Sequence, residues 1–178
     1  MQDRARAIVA ASGAVVPNTA RHDLSEIVGS ALRRASKILV RHQVNLELAA
    51  DLPMLELDAV LFEQALFNLL DNAAKYAPLD TTISIRALRD SESVTLQIID
   101  EGEGIPPAEL ESVFDKFYRA QKGDHVRPGT GLGLAISRGF VEAMHGTIQA
   151  ANRADRSGAV LTIRLPVPAA GAALDTAA

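Results

Sequence analysis

The amino-acid sequence predicts an α/β sandwich: a mixed, largely antiparallel sheet with three main helices on one face. Two observations lead there. Short alternating strands follow one another mainly as hairpins, and three segments of helical period interrupt them, without the strict strand–helix alternation of a doubly wound dinucleotide fold. A third observation adds a lid, because about thirty residues from Asp100 to Gly131 are rich in Gly, Pro and charge, and loops of that length in small domains are usually functional.

Residues 1–20 read as the remnant of a preceding helix and a linker around Gly13 to Thr19. Ala7 to Val16 follows two arginines but lacks a convincing cleavage site, so a signal peptide is the poorer reading and the chain reads as a segment of a longer protein. From Leu24 to about Arg41, Leu24, Ile27, Val28, Ala31, Leu32, Ala35, Ile38 and Leu39 recur at helical spacing, with Asp23 or Ser25 as the cap. Asn45–Leu48 and Met54–Leu57 alternate as short strands, with Asp51 and Pro53 turning between them. Asp58 can cap a second helix that runs to Tyr76, where Pro78 ends it. Strands follow at Thr82–Leu88 and Ser93–Ile99, joined by the polar turn Arg89–Glu92. Beyond the lid, a helix over Leu132–Met144 leads into strands at Thr147–Asn152 and Ala159–Leu165. The domain therefore spans residues 21–166, and the Ala/Pro/Gly-rich residues 167–178 read as a disordered tail.

Composition narrows the function classes. A chain of 178 residues with 48% hydrophobic and 22% charged residues fits one domain with its own core. Without cysteine it has no disulfide, thiolate metal site or cysteine nucleophile. The net charge of −4 and the scattered basic residues argue against nucleic-acid binding, and with 4% aromatics there is little to stack on single strands. No stretch approaches the ~20 apolar residues that span a bilayer.

Three segments carry candidate chemistry. On the second helix, Asn68, Asn72, Lys75 and Tyr76 fall at i, i+4, i+7 and i+8, so one face holds two amides, a cation and an aromatic. Phe62, Leu66, Leu69, Leu70 and Ala73 form the neighbouring stripe that can pack on a sheet. By itself this pattern suits a solvated polar face as well as a binding face. At a strand end, Asp100-Glu101-Gly102-Glu103-Gly104-Ile105-Pro106 places a carboxylate before two glycines that let backbone approach a flat ligand, although an acidic Gly-Pro turn would look the same. Pro128-Gly129-Thr130-Gly131-Leu132-Gly133-Leu134 opens the third helix, and N–H groups at a helix N-terminus suit phosphate. Its G-x-G-x-G spacing follows a charged loop rather than a strand, unlike a Rossmann fingerprint, and no P-loop sequence occurs.

In this order the three segments resemble the N box, G1 box and G2 box of the GHKL superfamily of ATP-binding domains. Val113-Phe114-Asp115-Lys116-Phe117-Tyr118-Arg119 resembles the F box of its histidine kinases. The resemblance covers roughly residues 22–166, and the stretch from Phe114 to Leu165, with Ala151-Asn152-Arg153 and Gly158-Ala159, is most similar to KdpD-type sensor kinases.

The resemblance implies the Bergerat ATP-binding fold, with ATP and Mg²⁺ as ligands. It makes Asn72 the metal ligand, with Asn68 beside it supporting the metal and phosphates, Lys75 on a phosphate and Tyr76 against adenine. Asp100 matches the carboxylate that binds the adenine amino group, with Gly102, Gly104 and Ile105 under the base. Gly129, Thr130, Gly131, Leu132, Gly133 and Leu134 shape the lid's end over the triphosphate, and Arg119 approaches the γ-phosphate. Phe114 and Phe117 are expected to anchor the lid. Catalysis is then expected from Asn68, Lys75 and Arg119.

In the gyrase and MutL branches a glutamate precedes the metal-binding Asn by four residues and activates water. Asn68 stands there in this chain, and an amide is no general base. Glu63, nine residues before Asn72, is read as a surface residue. The expected reaction is transfer of the γ-phosphate to a histidine on a separate dimerisation and histidine-phosphotransfer domain, for relay to a response-regulator receiver domain. His22-Asp23-Leu24-Ser25 imitates an H box but lacks its Pro-Leu ending, and it lies only fifty positions before Asn72, so His22 reads as a surface residue. His42, His125 and His145 lie outside any such motif, and the phosphoacceptor is expected on another segment. A nucleotide-binding regulatory module and a gyrase-like ATPase remain the alternatives. The expected setting is a cytoplasmic domain, monomeric as a fragment, in a homodimeric parent anchored in the inner membrane.

Overall fold

The computed structural model describes residues 15–118 and 130–168. In chain order these form β1 (Ala20–His22), α1 (Leu24–Ala35), β2 (Gln43–Leu48), β3 (Leu55–Leu57), α2 (Ala59–Tyr76), β4 (Thr82–Arg89), β5 (Ser93–Ile99), α3 (Gly133–Ala143), β6 (Thr147–Asn152) and β7 (Ala159–Pro166). Two short 3₁₀ turns, Pro107–Glu109 and Ser112–Phe114, lie between β5 and α3.

The main sheet has the order β2-β4-β5-β7-β6, with every pair antiparallel except β2 with β4. This is the expected mixed sheet of the Bergerat fold, with helices against one face. The alternation of β4, β5 and β7 turns Ile83, Ile85, Ala87, Val94, Leu96, Ile98, Leu161, Ile163 and Leu165 into one buried layer. Against it pack the apolar stripes of the helices: Leu24, Ile27, Val28, Ala31 and Ala35 of α1, Phe62, Leu66, Leu69, Leu70 and Ala73 of α2, and Phe140 and Val141 of α3. α2 lies between the other two helices and packs on both.

Local signals place the helix starts. Asp23 caps α1 by accepting the Ser25 N–H at 2.8 Å, and Asp58 caps α2 by accepting the N–H groups of Val60 and Leu61, each at 3.1 Å. Three differences from the sequence reading are long-range. Helix α1 stops at Ala35, not near Arg41, because the chain must turn to start β2 at Gln43. It does so through bonds of Ile38 and Leu39 N–H to the Ala35 carbonyl, which still bury Leu39. β2 and β3 do not pair with each other: β2 runs parallel to β4 at the sheet edge, and β3 joins β1 in a separate two-stranded ribbon. β1 itself has no alternation to reveal it. Residues 15–22 nonetheless join the fold: Val15 packs on the core and the Asn18 N–H donates to the Asp58 carboxylate at 2.8 Å.

Candidate functional site

The polar face of α2, the loop after β5 and the start of α3 converge at one end of the sandwich. On α2 the core stripe fixes the helix rotation, so Asn68, Asn72 and Lys75 come out half-buried and Tyr76 more exposed at the rim. The Asn68 amide is engaged at both ends. Its oxygen accepts from Gln64 Nε2 at 2.9 Å, and its nitrogen donates to the Gly133 carbonyl at 3.1 Å and to Ser137 Oγ at 3.2 Å. Asn68 therefore ties α2 to the first turn of α3. The Asn72 amide, one turn on, has no hydrogen-bond partner among the described residues. Lys75 is paired with Asp71 one turn back, so the ammonium is held over the helix end by a counterion that a phosphate could replace.

Glu63 departs from the surface position expected of it. It is half-buried, accepts from Ser30 Oγ at 2.7 Å and pairs with Arg34 at 3.5 Å, because α1 packs over this turn of α2.

The loop after β5 is built around Asp100. This side chain is 7% exposed, and its Oδ1 accepts from the N–H groups of Gly102 at 2.8 Å and Ala159 at 3.1 Å. Burial raises the carboxyl above the ordinary aspartate range, while the two N–H bonds and the nearby Arg153 oppose that shift. Its second oxygen has no hydrogen-bond partner among the described residues and is available to an outside donor. The loop continues through Gly104 at φ +81°, where a Cβ would lie 2.6 Å from Asn152 Oδ1. Gly102 and Ile105 flank that turn.

The braces behind this loop come from the β6–β7 hairpin and had no role in the sequence reading. Asn152 accepts the Ile105 N–H and donates to the Ile105 carbonyl, both at 2.7 Å. Arg153 Nη1 reaches the Asp100 carbonyl at 3.4 Å and the Glu101 carboxylate at 3.8 Å, and Ser157 Oγ donates to the Gly102 carbonyl at 2.6 Å. The sequence signal was the Ala151-Asn152-Arg153 and Gly158-Ala159 likeness, which marked the hairpin without saying what it touches.

At the phosphate end, α3 starts at Gly133 with Leu132 at the N-cap position and no side-chain cap, so its first N–H groups are left for another acceptor. Thr130, Gly131 and Leu132 lead into this turn, and Leu134 packs partly against the core. Gly131, at φ +67°, accepts the Phe117 N–H on its carbonyl at 2.9 Å, and a Cβ on it would meet the Tyr118 carbonyl at 2.7 Å. The two stems of the lid therefore touch through backbone.

Of the two expected lid anchors only Phe114 is one: it is 4% exposed, with the Arg138 guanidinium 4.3 Å from its ring centre. Phe117 is 71% exposed, because its own positive φ of 65° at this backbone junction turns the side chain outward. The Tyr118 hydroxyl donates to Glu109 instead, and burial together with that carboxylate pushes the phenol up to about 12. Arg119 and Gly129 lie outside the described residues.

Among the described residues, no group of three or more His, Asp or Glu could by itself hold a metal. A hard divalent ion bound through the Asn72 amide oxygen would have to take its other ligands from phosphates and water, as Mg²⁺ commonly does.

Comparison with known proteins gives the family of the chain. Sensor protein KdpD of Escherichia coli is 43% identical over 143 residues, which are 80% of this chain and 16% of that protein. Sensor protein KdpD of Clostridium acetobutylicum is 38% identical over 144 residues, with the same shares. The chain thus spans a small part of the curated relatives it matches. Among solved structures, the mycobacterial sensor histidine kinase MprB superposes with a TM-score of 0.74 at 29% identity, covering 83% of this chain and 97% of that one. The Acinetobacter baumannii histidine kinase AdeS does so with a TM-score of 0.72 at 26% identity, covering 93% of this chain and 75% of that one. Residues 57–169, which hold α2, the Asp100 loop, the lid and the start of α3, match a single family, and the chain belongs to it: the histidine kinase-, DNA gyrase B- and HSP90-like ATPases, within which it is homologous to KdpD-type and other sensor histidine kinases.

Proposed function

We propose that this domain binds Mg·ATP and donates the γ-phosphate to a histidine on a separate dimerisation domain, the first step of a two-component relay to a receiver domain. The observation that carries the choice of transfer over hydrolysis lies on α2. The position where a hydrolase of this superfamily needs a base is Asn68, an amide bonded at both ends, and the residue a turn before it is a second amide, Gln64. The carboxylates nearest in sequence, Glu63 and Asp71, are held by Ser30 with Arg34 and by Lys75. The position of the hydrolase base therefore offers no group that can deprotonate water.

Asp100 offers its second oxygen to the adenine amino group. Asn72 would hold the magnesium, which when bound neutralises phosphate charge, and Lys75 would exchange Asp71 for a phosphate oxygen. The open N–H groups of α3 would cradle the triphosphate. Phosphoryl transfer asks for positioning and charge neutralisation rather than covalent chemistry by the protein, and these groups supply both. The acceptor imidazole comes from the dimerisation domain of the same kinase. The parent is a homodimer anchored in the inner membrane, with this domain on the cytoplasmic side; no helix among the described residues is long and apolar enough to cross a membrane.

The test is phosphate release by the unmodified 178-residue chain, and then phosphorylation of a histidine-bearing dimerisation domain joined to it. Marginal release alone and an acid-labile, base-stable phosphohistidine in the joined protein are expected. Robust release abolished by Asn72→Ala would show that the domain activates water unaided and would replace the kinase reading with the ATPase one.

A further inference from the structure

We propose that Asn152, on the β6–β7 hairpin, is a positioning residue that holds the loop Asp100–Ile105 in the shape that selects adenine. The proposal rests on the reading of this loop as the base site. Asn152 stands at the last position of β6, where the ladder with β7 ends at Ala159. Its side chain is exposed and contributes little to the core. What it does is pair with Ile105 as a strand would, accepting the N–H and donating to the carbonyl of the same residue at 2.7 Å each. A carboxamide has one donor and one acceptor side by side, and so matches one residue's backbone pair as no other short side chain does.

This pairing replaces a sheet partner for a loop that has none. The loop leaves β5 at Asp100, whose N–H still bonds the Ala159 carbonyl at 3.0 Å, and then departs from the ladder. From there to Ile105 its backbone is held by side chains: Asp100 on the Gly102 N–H, Ser157 on the Gly102 carbonyl and Asn152 on Ile105. Gly104, between the last two, has φ +81° and space only for hydrogen on the Asn152 side, so the turn and the amide fit one another. Releasing Ile105 frees the far end of the loop from Asn152, while Asp100 stays fixed by its own two N–H bonds. The Asp100 contact to a base should then survive, and the backbone surface that discriminates the rest of the base should not.

The experiment measures affinity for ATP and for GTP, with Mg²⁺, by calorimetry on the full chain, for the unaltered protein, Asn152→Ala and Asn152→Asp. Gln149→Ala, an exposed change on the same strand, serves as control. Loss of two modest hydrogen bonds predicts roughly tenfold weaker ATP binding for Asn152→Ala, with a smaller loss for GTP, so that base selectivity falls. Asn152→Asp keeps the acceptor for the Ile105 N–H but sets a carboxylate against the Ile105 carbonyl, and should also lose selectivity; it carries the test if the alanine variant does not fold. Faster amide exchange at Ile105 in the variants, with the unfolding midpoint unchanged, is the accompanying sign of a released loop. Adenine selectivity equal to the unaltered protein in both variants would overturn the positioning role alone. Failure of the unaltered protein to prefer ATP over GTP would overturn the base site, and the positioning role with it.

Discussion

The two ends of the candidate nucleotide site are made in different ways. At the base end, a carboxylate that is 7% exposed accepts two backbone N–H bonds, and Asn152, Arg153 and Ser157 hold the loop from behind. At the phosphate end, the groups on offer are half-exposed: the Asn72 amide, the Lys75 ammonium on Asp71, and the uncapped first turn of α3. Under the proposed assignment, the difference follows from what each end would bind. A flat base is recognised by a fixed pattern of donors and acceptors, which only a built wall can present. A triphosphate with its cation carries its own charge, and can be met by open groups such as the Asn72 amide and the first N–H groups of α3, with the Lys75 ammonium exchanging Asp71 for it.

Replacing the wall should therefore cost the most. Asp100→Asn keeps an oxygen for Gly102 and Ala159 but sets an NH₂ group where, in the proposed site, the adenine amino group would donate, and binding should weaken by about 2 kcal/mol, roughly thirtyfold. The same substitution sharpens the comparison through pH. Burial raises the folded-state pKa of Asp100, so its favourable contribution is fully present below the ordinary aspartate value of 3.8 and is lost as pH rises through the raised one. The stability of Asp100→Asn relative to the unaltered chain should thus increase from pH 3.8 upward and level off once the folded carboxyl has ionised. Urea denaturation of both proteins across that range checks it; a relative stability of Asp100→Asn that falls as pH rises would show that the backbone bonds, not burial, dominate at Asp100.

A change at the phosphate end should be milder and depend on the cation. Asn72→Ala removes a half-buried amide with no described partner, so the fold should survive and Mg·ATP affinity should fall by about 1 kcal/mol, some fivefold. Calorimetry with and without Mg²⁺ reads it, and an equal loss in both conditions would take Asn72 away from the metal.

The smallest expected effect lies in the lid, with no substitution at all. Of the apolar residues in 105–118, Phe114 alone is fully buried, so these amides should open well below global unfolding. Adding a non-hydrolysable ATP analogue should slow their exchange more than that of Gly102. Equal slowing on both sides would remove the contrast between a prepared wall and a phosphate end that the ligand completes.

Much of this architecture was readable from neighbouring residues. Asp58 with the run to Tyr76 marked α2 at both ends, and the stripe Phe62, Leu66, Leu69, Leu70 and Ala73 is buried as its period required. The strands Ser93–Ile99 and Thr147–Asn152 stand where alternation put them. These signals are local: a cap acts over three residues, and a helical or strand period is a property of one segment. The motif positions on α2, after β5 and before α3 do meet at one end of the sandwich, and their assignment to adenine, metal and phosphates remains our proposal.

What local signals could not carry is which distant segments touch. The three residues of β1 pair with distant β3, Ala20 with Leu57 and His22 with Leu55, and nothing in Ala20–His22 announces it. The turning outward of Phe117 follows from a bond to Gly131 across the lid, and the half-burial of Glu63 from α1 packing over it. Asn152 reads as an unremarkable polar residue at a strand end until the fold brings Ile105, 47 positions away, against its amide. Sequence alone determined most of the elements, their faces and the order of the motifs, because periodicity and capping are short-range. The tertiary structure alone decided strand partners, the anchoring of the lid and the bracing of the base wall, because each depends on a hydrogen bond or a packed surface between segments that meet only when the chain is folded.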